Sequence, residues 1–179
     1  VDGDSVGVVS RYTFENVRED HTIEAVFVRD NGVADPDETG VSNWLNTVDH
    51  FAYLSGYPGD LFGPDNNMTR AEAAQMFYNL LLNKDVPTTV TFVDVDSGTW
   101  YADAVHALAS LGINNGVGDN RYEPERAITR AEFTVMATRF AHVQTAGVDT
   151  FSDVSESDWF FPYVATCVQY GWIDGYPDG

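Results

Sequence analysis

The feature that most constrains how this chain folds is that it repeats itself. Met68-Thr-Arg-Ala-Glu72 returns as Ile128-Thr-Arg-Ala-Glu132 sixty residues on, and Phe92-Val-Asp-Val95 returns as Phe151-Ser-Asp-Val154 after fifty-nine. Trp100 returns as Trp159, and Leu111-Gly-Ile-Asn-Asn-Gly116 as Tyr170-Gly-Trp-Ile-Asp-Gly175. Gly56, Gly116 and Gly175 mark one point in three successive units. The steps from Gly56 to Pro64 and from Gly116 to Pro124 are eight residues each, and from those prolines to Arg70 and Arg130 six each. Regular self-similarity of this kind marks a supersecondary unit that buries its apolar face only against its neighbours.

Each unit reads as helix, glycine-rich loop, helix. In the first helix of the second unit, Trp100, Ala104, Val105, Leu108 and Leu111 share one face at helical spacing, and Gly112 stands where a C-cap glycine belongs. The matching helix, about 158–170, presents Trp159, Tyr163, Val164, Cys167 and Val168, with Asp158 as its expected cap and Pro162 in the tolerant first turn. The second helix of a unit opens on a capping box, Thr69 with Glu72 and Thr129 with Glu132. The stripes Ala73, Met76, Phe77, Leu80 and Phe133, Met136, Ala137, Phe140 follow.

Residues 1–30 differ in pattern. Residues 10–17 and 22–28 alternate apolar and polar as half-buried strands do, with Glu19-Asp20-His21 between them. Two strands alone are marginal in water, so this segment is expected to close an upstream β domain. It resembles the last strands of Ig-like repeats in bacterial surface proteins. Residues 31–42 read as a linker, and 43–179 as the repeats: 43–85, 90–143 and an incomplete third, 150–179.

The repeats resemble the surface-layer homology family, whose pattern runs F-x-D-V, W-Y-x-x-A-V-x-x-L, G-I/W-I-x-G, F-x-P and I-T-R-A-E. Residues 92–140 follow it nearly throughout, with Tyr122 where the family has Phe. Residues 151–179 match the first half of the pattern, and 53–82 the second half. Around Trp44 to Phe51 the F-x-D-V element is missing. The resemblance implies a mainly α domain of three helix-loop-helix units with pseudo-threefold symmetry, its third repeat truncated, preceded by the short β segment. It also implies non-covalent anchoring at the bacterial cell surface through an anionic secondary cell-wall polysaccharide, often bearing a pyruvate ketal. The alternative is a structural protein–protein assembly module of a surface layer. The missing part of the third repeat is expected to leave apolar surface exposed near Trp172 and Ile173.

A polysaccharide site in such a chain needs local donors, because 28 acidic residues face only 9 basic ones and the formal net charge is -19. Arg70 and Arg130 hold equivalent positions just inside the helix cap. A cation there works against the helix dipole, while the open N–H groups of a helix start favour an anion. A guanidinium added to them makes a planar carboxylate clamp; pairing with a neighbouring acid is the bland alternative. Trp100 and Trp159 offer indole faces for a sugar, or simply fill the core. Gly56, Gly116 and Gly175 are expected at positive φ in a turn, with backbone close to the ligand. Asp94 and Asp153 are expected to cap turns.

Other chemistries lack their residues. The strong negative charge argues against nucleic acid as a partner, and no apolar run is long enough for membrane insertion. His21, His50, His106 and His142 share no ligand spacing, and Asp35-x-Asp37 and Asp94-x-Asp96 lack the remaining ligands of a calcium loop. No phosphate loop, nucleophile elbow or Cys–His arrangement is present. With Cys167 as the single cysteine, no disulfide forms within the chain. The reading is a secreted binding module, not an enzyme, without cofactor or metal.

Overall fold

The computed structural model describes residues 22, 44–46, 52–143 and 151–176. The chain divides into two compact units, Val1–Asn31 and Gly32–Gly179. All the described residues but Thr22 belong to the second. The expected strands of residues 1–30 and the linker 31–42 therefore lie outside the described residues, Thr22 apart.

Four helices are found among the described residues: α1 (Arg70–Leu80), α2 (Ala102–Ser110), α3 (Arg130–Phe140) and α4 (Phe161–Gln169). The fold is mainly α, its helices joined by turns and isolated bridges. α1 packs on α2 and α3 on α4. In α1 and α3 the capping box is complete: each Thr hydroxyl accepts the Glu N–H while the Glu carboxylate accepts the Thr N–H. Four helix-start and loop donors are thereby satisfied by two short side-chain pairs.

α2 and α4 start later than their tryptophans, at Ala102 and Phe161, and neither has a side-chain cap. Asp158 does not cap α4. Its carboxylate accepts the Ser155 N–H at 2.8 Å, closing the preceding turn, and its carbonyl accepts from Phe161. Pro162 sits in the first turn of α4. Both helices end in a Schellman motif. The Gly112 and Gly171 N–H groups bond back to Ala109 and Val168, the following residues bond to Leu108 and Cys167, and φ is +74° and +65°.

The core gathers around Phe77, Leu108, Ile113, Tyr122, Met136 and Phe140. Phe77 touches Phe133 and Phe140 at ring centroid distances of 5.4 and 5.3 Å, joining α1 to α3. Trp44 lies edge-on to Phe140 and His142. Thr134 and Thr138 are buried although they lie outside the apolar stripe of α3. Each hydroxyl is satisfied by the carbonyl one turn back, at 2.9 and 2.8 Å, and Thr138 also meets the Cys167 thiol of α4. α3 thus carries two packing faces, one toward α1 and one toward α4.

Candidate binding clefts

The second-unit loop is drawn across the start of α1. The Arg70 and Ala71 N–H groups donate to the carbonyls of Arg126 and Pro124, both at 2.9 Å, and Ile128 N–H returns a bond to Met68. The mouth of α1 is therefore closed by backbone, not left open for an anion as the sequence led us to expect. At α3 the arrangement differs: the Arg130 and Ala131 N–H groups make no hydrogen bond among the described residues.

The two arginines differ in the same way. Arg70 is 4% exposed. Its Nε donates to the Tyr122 carbonyl, Nη1 to Glu132 and Nη2 to the Asn115 carbonyl at 2.8, 2.8 and 2.9 Å. Its guanidinium lies 4.5 Å over the Tyr122 ring. The bland alternative, pairing with a neighbouring acid, is what Arg70 adopts. Arg130 is exposed. Its Nη2 donates to the Asp174 carbonyl and its guanidinium lies 4.9 Å over Tyr176, while Nε and Nη1 are unbonded among the described residues. Asn115 and Asp174 are equivalent, so each arginine reaches the carbonyl just before the marker glycine of the next unit. Among the described residues only Arg70 gains the further bonds, to the Tyr122 carbonyl and to Glu132.

Glu132 is the hub of that network. Besides capping α3 it accepts from Arg70 and from Arg126 Nη2 at 2.6 Å, and Arg126 in turn pairs with Glu123. Burial pushes its carboxyl up, but the Arg126 and Thr129 donors and the Arg70 charge outweigh that and hold it below the usual carboxylate range. Tyr122, wholly buried, is pushed up to about 12 by burial, against the pull of Arg70.

The marker glycines are not at positive φ. That region holds Gly59, Gly63, Gly112, Gly118 and Gly171 instead. What excludes a side chain at the markers is space. A Cβ on Gly116 would sit 2.6 Å from the Arg121 carbonyl and 2.7 Å from the Phe92 ring; on Gly175 it would sit 2.7 Å from Phe151; on Gly56, 2.9 Å from the Leu61 carbonyl. The Phe of F-x-D-V lies against the marker glycine of its own unit. Asp94 likewise acts at a distance. It accepts the Tyr122 and Glu123 N–H groups at 2.8 and 2.9 Å, capping a loop 28 residues downstream and not its own turn. Asp153 is exposed and its carboxylate makes no hydrogen bond among the described residues.

Three clefts lie beside these residues. The Arg70 cleft, about 340 Å³, takes Arg70 from the first unit, Gly116 from the second and Trp159 from the third, together with Glu132 and Arg139. The Arg130 cleft, about 460 Å³, takes Arg130 and Ala131 from the second unit and Asp153, Gly175 and Tyr176 from the third. A third, about 590 Å³, joins Gly56 of the first unit to Trp100 of the second, with Tyr53, Tyr57 and Phe62. Trp100 and Trp159 are 61% and 60% exposed, so core filling is not their role. Trp172 and Ile173 are half-buried, while Tyr176 beside them is exposed, as are Leu54, Leu61 and Phe62 of the first unit. No group of three or more metal-ligating side chains assembles among the described residues, and no helix there is long and apolar enough to cross a membrane.

Much of the chain is similar in sequence to known proteins. A family model described as the S-layer homology domain matches residues 52–74, 91–134 and 150–179. A cellulosome-anchoring protein of Acetivibrio thermocellus is 35% identical over 142 residues, covering 74% of this chain and 32% of that protein. A surface-layer 125 kDa protein of Lysinibacillus sphaericus is 32% identical over 68% of this chain and 10% of its own length. An amylopullulanase of Thermoanaerobacterium thermosulfurigenes is 37% identical over 70% of this chain and 7% of its own. The chain spans about a third or less of the curated relatives it matches.

Proposed function

This chain belongs to the S-layer homology domain family, and we propose from that premise that it anchors a protein to the bacterial cell wall by gripping an anionic secondary polysaccharide. The same stretch occurs in an anchoring protein, a surface-layer protein and an amylopullulanase. That a similar stretch recurs in proteins with such different names supports attachment over any one catalytic chemistry. The protein then works outside the cell, on the wall.

The single observation that carries the reading is the Arg130 cleft. An exposed guanidinium lines it from the first position of α3, at the positive end of the helix dipole. Together these form a cationic corner in a molecule of net charge -19. A carboxylate such as that of a pyruvate ketal suits it in charge and in planar shape. Asp153 on the same cleft accepts sugar hydroxyls. Arg70 serves differently: paired with Glu132, it holds two units together and shapes a cleft in which Trp159 stacks on a sugar's C–H face. The cyclic borrowing of Arg, Gly and Trp from successive units supports a pseudo-threefold arrangement, with Gly56 and Trp100 forming the matching parts of a third groove.

The test is retention on purified wall polysaccharide. Arg130→Ala is expected to weaken binding at least tenfold, about 1.4 kcal/mol or more, without lowering the melting temperature. Removing the polymer's acidic substituent should erase the difference between wild type and variant. Equal retention of both would sink the clamp, and retention on walls stripped of polysaccharide would favour a protein lattice instead.

A further inference from the structure

At one position the three units carry Leu54, Asn114 and Ile173, each two residues before its marker glycine. Only the middle one is polar. The second unit departs at another place too: Tyr122 stands where the first has Phe62. The two departures meet in space. Asn114 Nδ2 lies 3.4 Å from Tyr122 Oη and 3.5 Å from the Val105 carbonyl, and Tyr122 Oη donates to the Arg70 carbonyl at 3.1 Å. A carbonyl only accepts, and the phenol proton is already committed, so both neighbours call for a donor and turn the amide nitrogen toward them. The amide oxygen is left over. Asn114 is 3% exposed, and its Oδ1 has no hydrogen-bond partner among the described residues. A buried acceptor without a donor weakens the fold, a cost that Leu54 and Ile173 avoid. Asn114 lines the Arg70 cleft, beside Trp159.

We infer that Asn114 determines the specificity of the Arg70 cleft: its amide oxygen accepts a hydrogen bond from a hydroxyl or amide N–H of a bound sugar, directly or through one water on the cleft floor. This rests on the saccharide reading above and adds what the cleft selects. An indole face beside a buried acceptor matches a pyranose ring, which is apolar on its C–H face and carries donors at its rim. Ile173 lines the Arg130 cleft at the equivalent point. The two clefts therefore read different parts of the polymer: the Arg130 cleft takes the acidic substituent, and the Arg70 cleft demands a donor. A buried polar group that reads a donor rejects the analogue lacking it, because the acceptor is then stranded.

The probe is a synthetic N-acetylhexosamine disaccharide carrying a pyruvate ketal, with analogues each lacking one hydroxyl or the acetamido N–H. Binding to the full chain is followed at the Trp159 indole N–H resonance, assigned with Trp159→Phe, so that the Arg70 cleft is read separately. In the wild type one analogue should bind about tenfold more weakly than the parent, the loss of one hydrogen bond. In Asn114→Ile, and in Asn114→Leu with Tyr122→Phe, which copies the first unit, the parent should weaken about tenfold and the analogues become indistinguishable. Both variants should melt no lower than the wild type, since each removes an orphaned acceptor. Equal affinities across the wild-type analogue series, or unchanged parent affinity in both variants, overturns the inference. Saccharide binding that leaves the Trp159 resonance unmoved overturns it alone; failure of the parent compound to bind anywhere takes the anchoring proposal down as well.

Discussion

Arg70 and Arg130 occupy the same place in the repeat and end in different surroundings, and the difference was not written locally. Glu132 lies 62 residues from Arg70 in sequence. No local pattern announces a carboxylate on α3 that caps its own helix while serving as counter-ion to Arg70 of α1. The marker glycines carry a similar lesson. Their positions were legible from the repeat, but their reason was not: the Phe92 ring that excludes a side chain at Gly116 comes from 24 residues upstream. Gly116→Ala should therefore cost about 1–3 kcal/mol by overpacking, while Gly98→Ala, facing open space, should cost less than about 0.5 kcal/mol. Paired chemical denaturation curves check this. Glu132→Gln should cost about 2 kcal/mol, less than the ~3–5 for losing a buried partner outright because Gln keeps an acceptor. Glu132, Glu72 and Asp94 all have folded pKa values below their ordinary ones. Their contribution is complete above about pH 4.3 and is lost as pH falls through the depressed values. The melting temperature of the wild type should thus fall more than that of Glu132→Gln between about pH 5 and pH 3.

At the scale of elements the sequence was most informative where the physics is short-range. The capping boxes of α1 and α3 need only residues three apart, and the C-terminal glycines of α2 and α4 need only their own last turn. The two capping boxes and the Gly112 cap were visible as spacing; the Gly171 cap emerged with the structure. The starts of α2 and α4 were placed too early because Trp100 and Trp159 fit the helical period while pointing to solvent. The period specifies a face and cannot say which of its members is covered. The buried threonines of α3 were missed for the converse reason, since polar residues satisfied by their own helix leave no apolar signature. The left-handed glycines that end α2 and α4 make a comparable pair. Gly112→Ala and Gly171→Ala should each cost about 1 kcal/mol, and Thr129→Ala a similar amount. Thermal melts of the three single variants test whether caps in successive units are worth the same.

For the whole molecule, the dominant quantity is a formal charge of -19 on 179 residues. An anionic polymer approaching such a surface is repelled over about 30 Å at 0.01 M salt and over about 10 Å at 0.1 M. Its association rate should consequently rise with salt across that range, the reverse of a basic clamp, while dissociation quickens more gently as the Arg130 contact is screened. Stopped-flow measurements at the two salt concentrations separate these effects. The Arg70 cleft, assembled from one part of each of three consecutive units, carries a further corollary for how such chains change over evolutionary time. Loss, gain or exchange of a single copy would bring the wrong neighbours together and dismantle the cavity. Genes encoding this architecture are therefore expected to move it between host proteins as an indivisible cassette, with divergence accumulating inside each copy and the copy number held fixed.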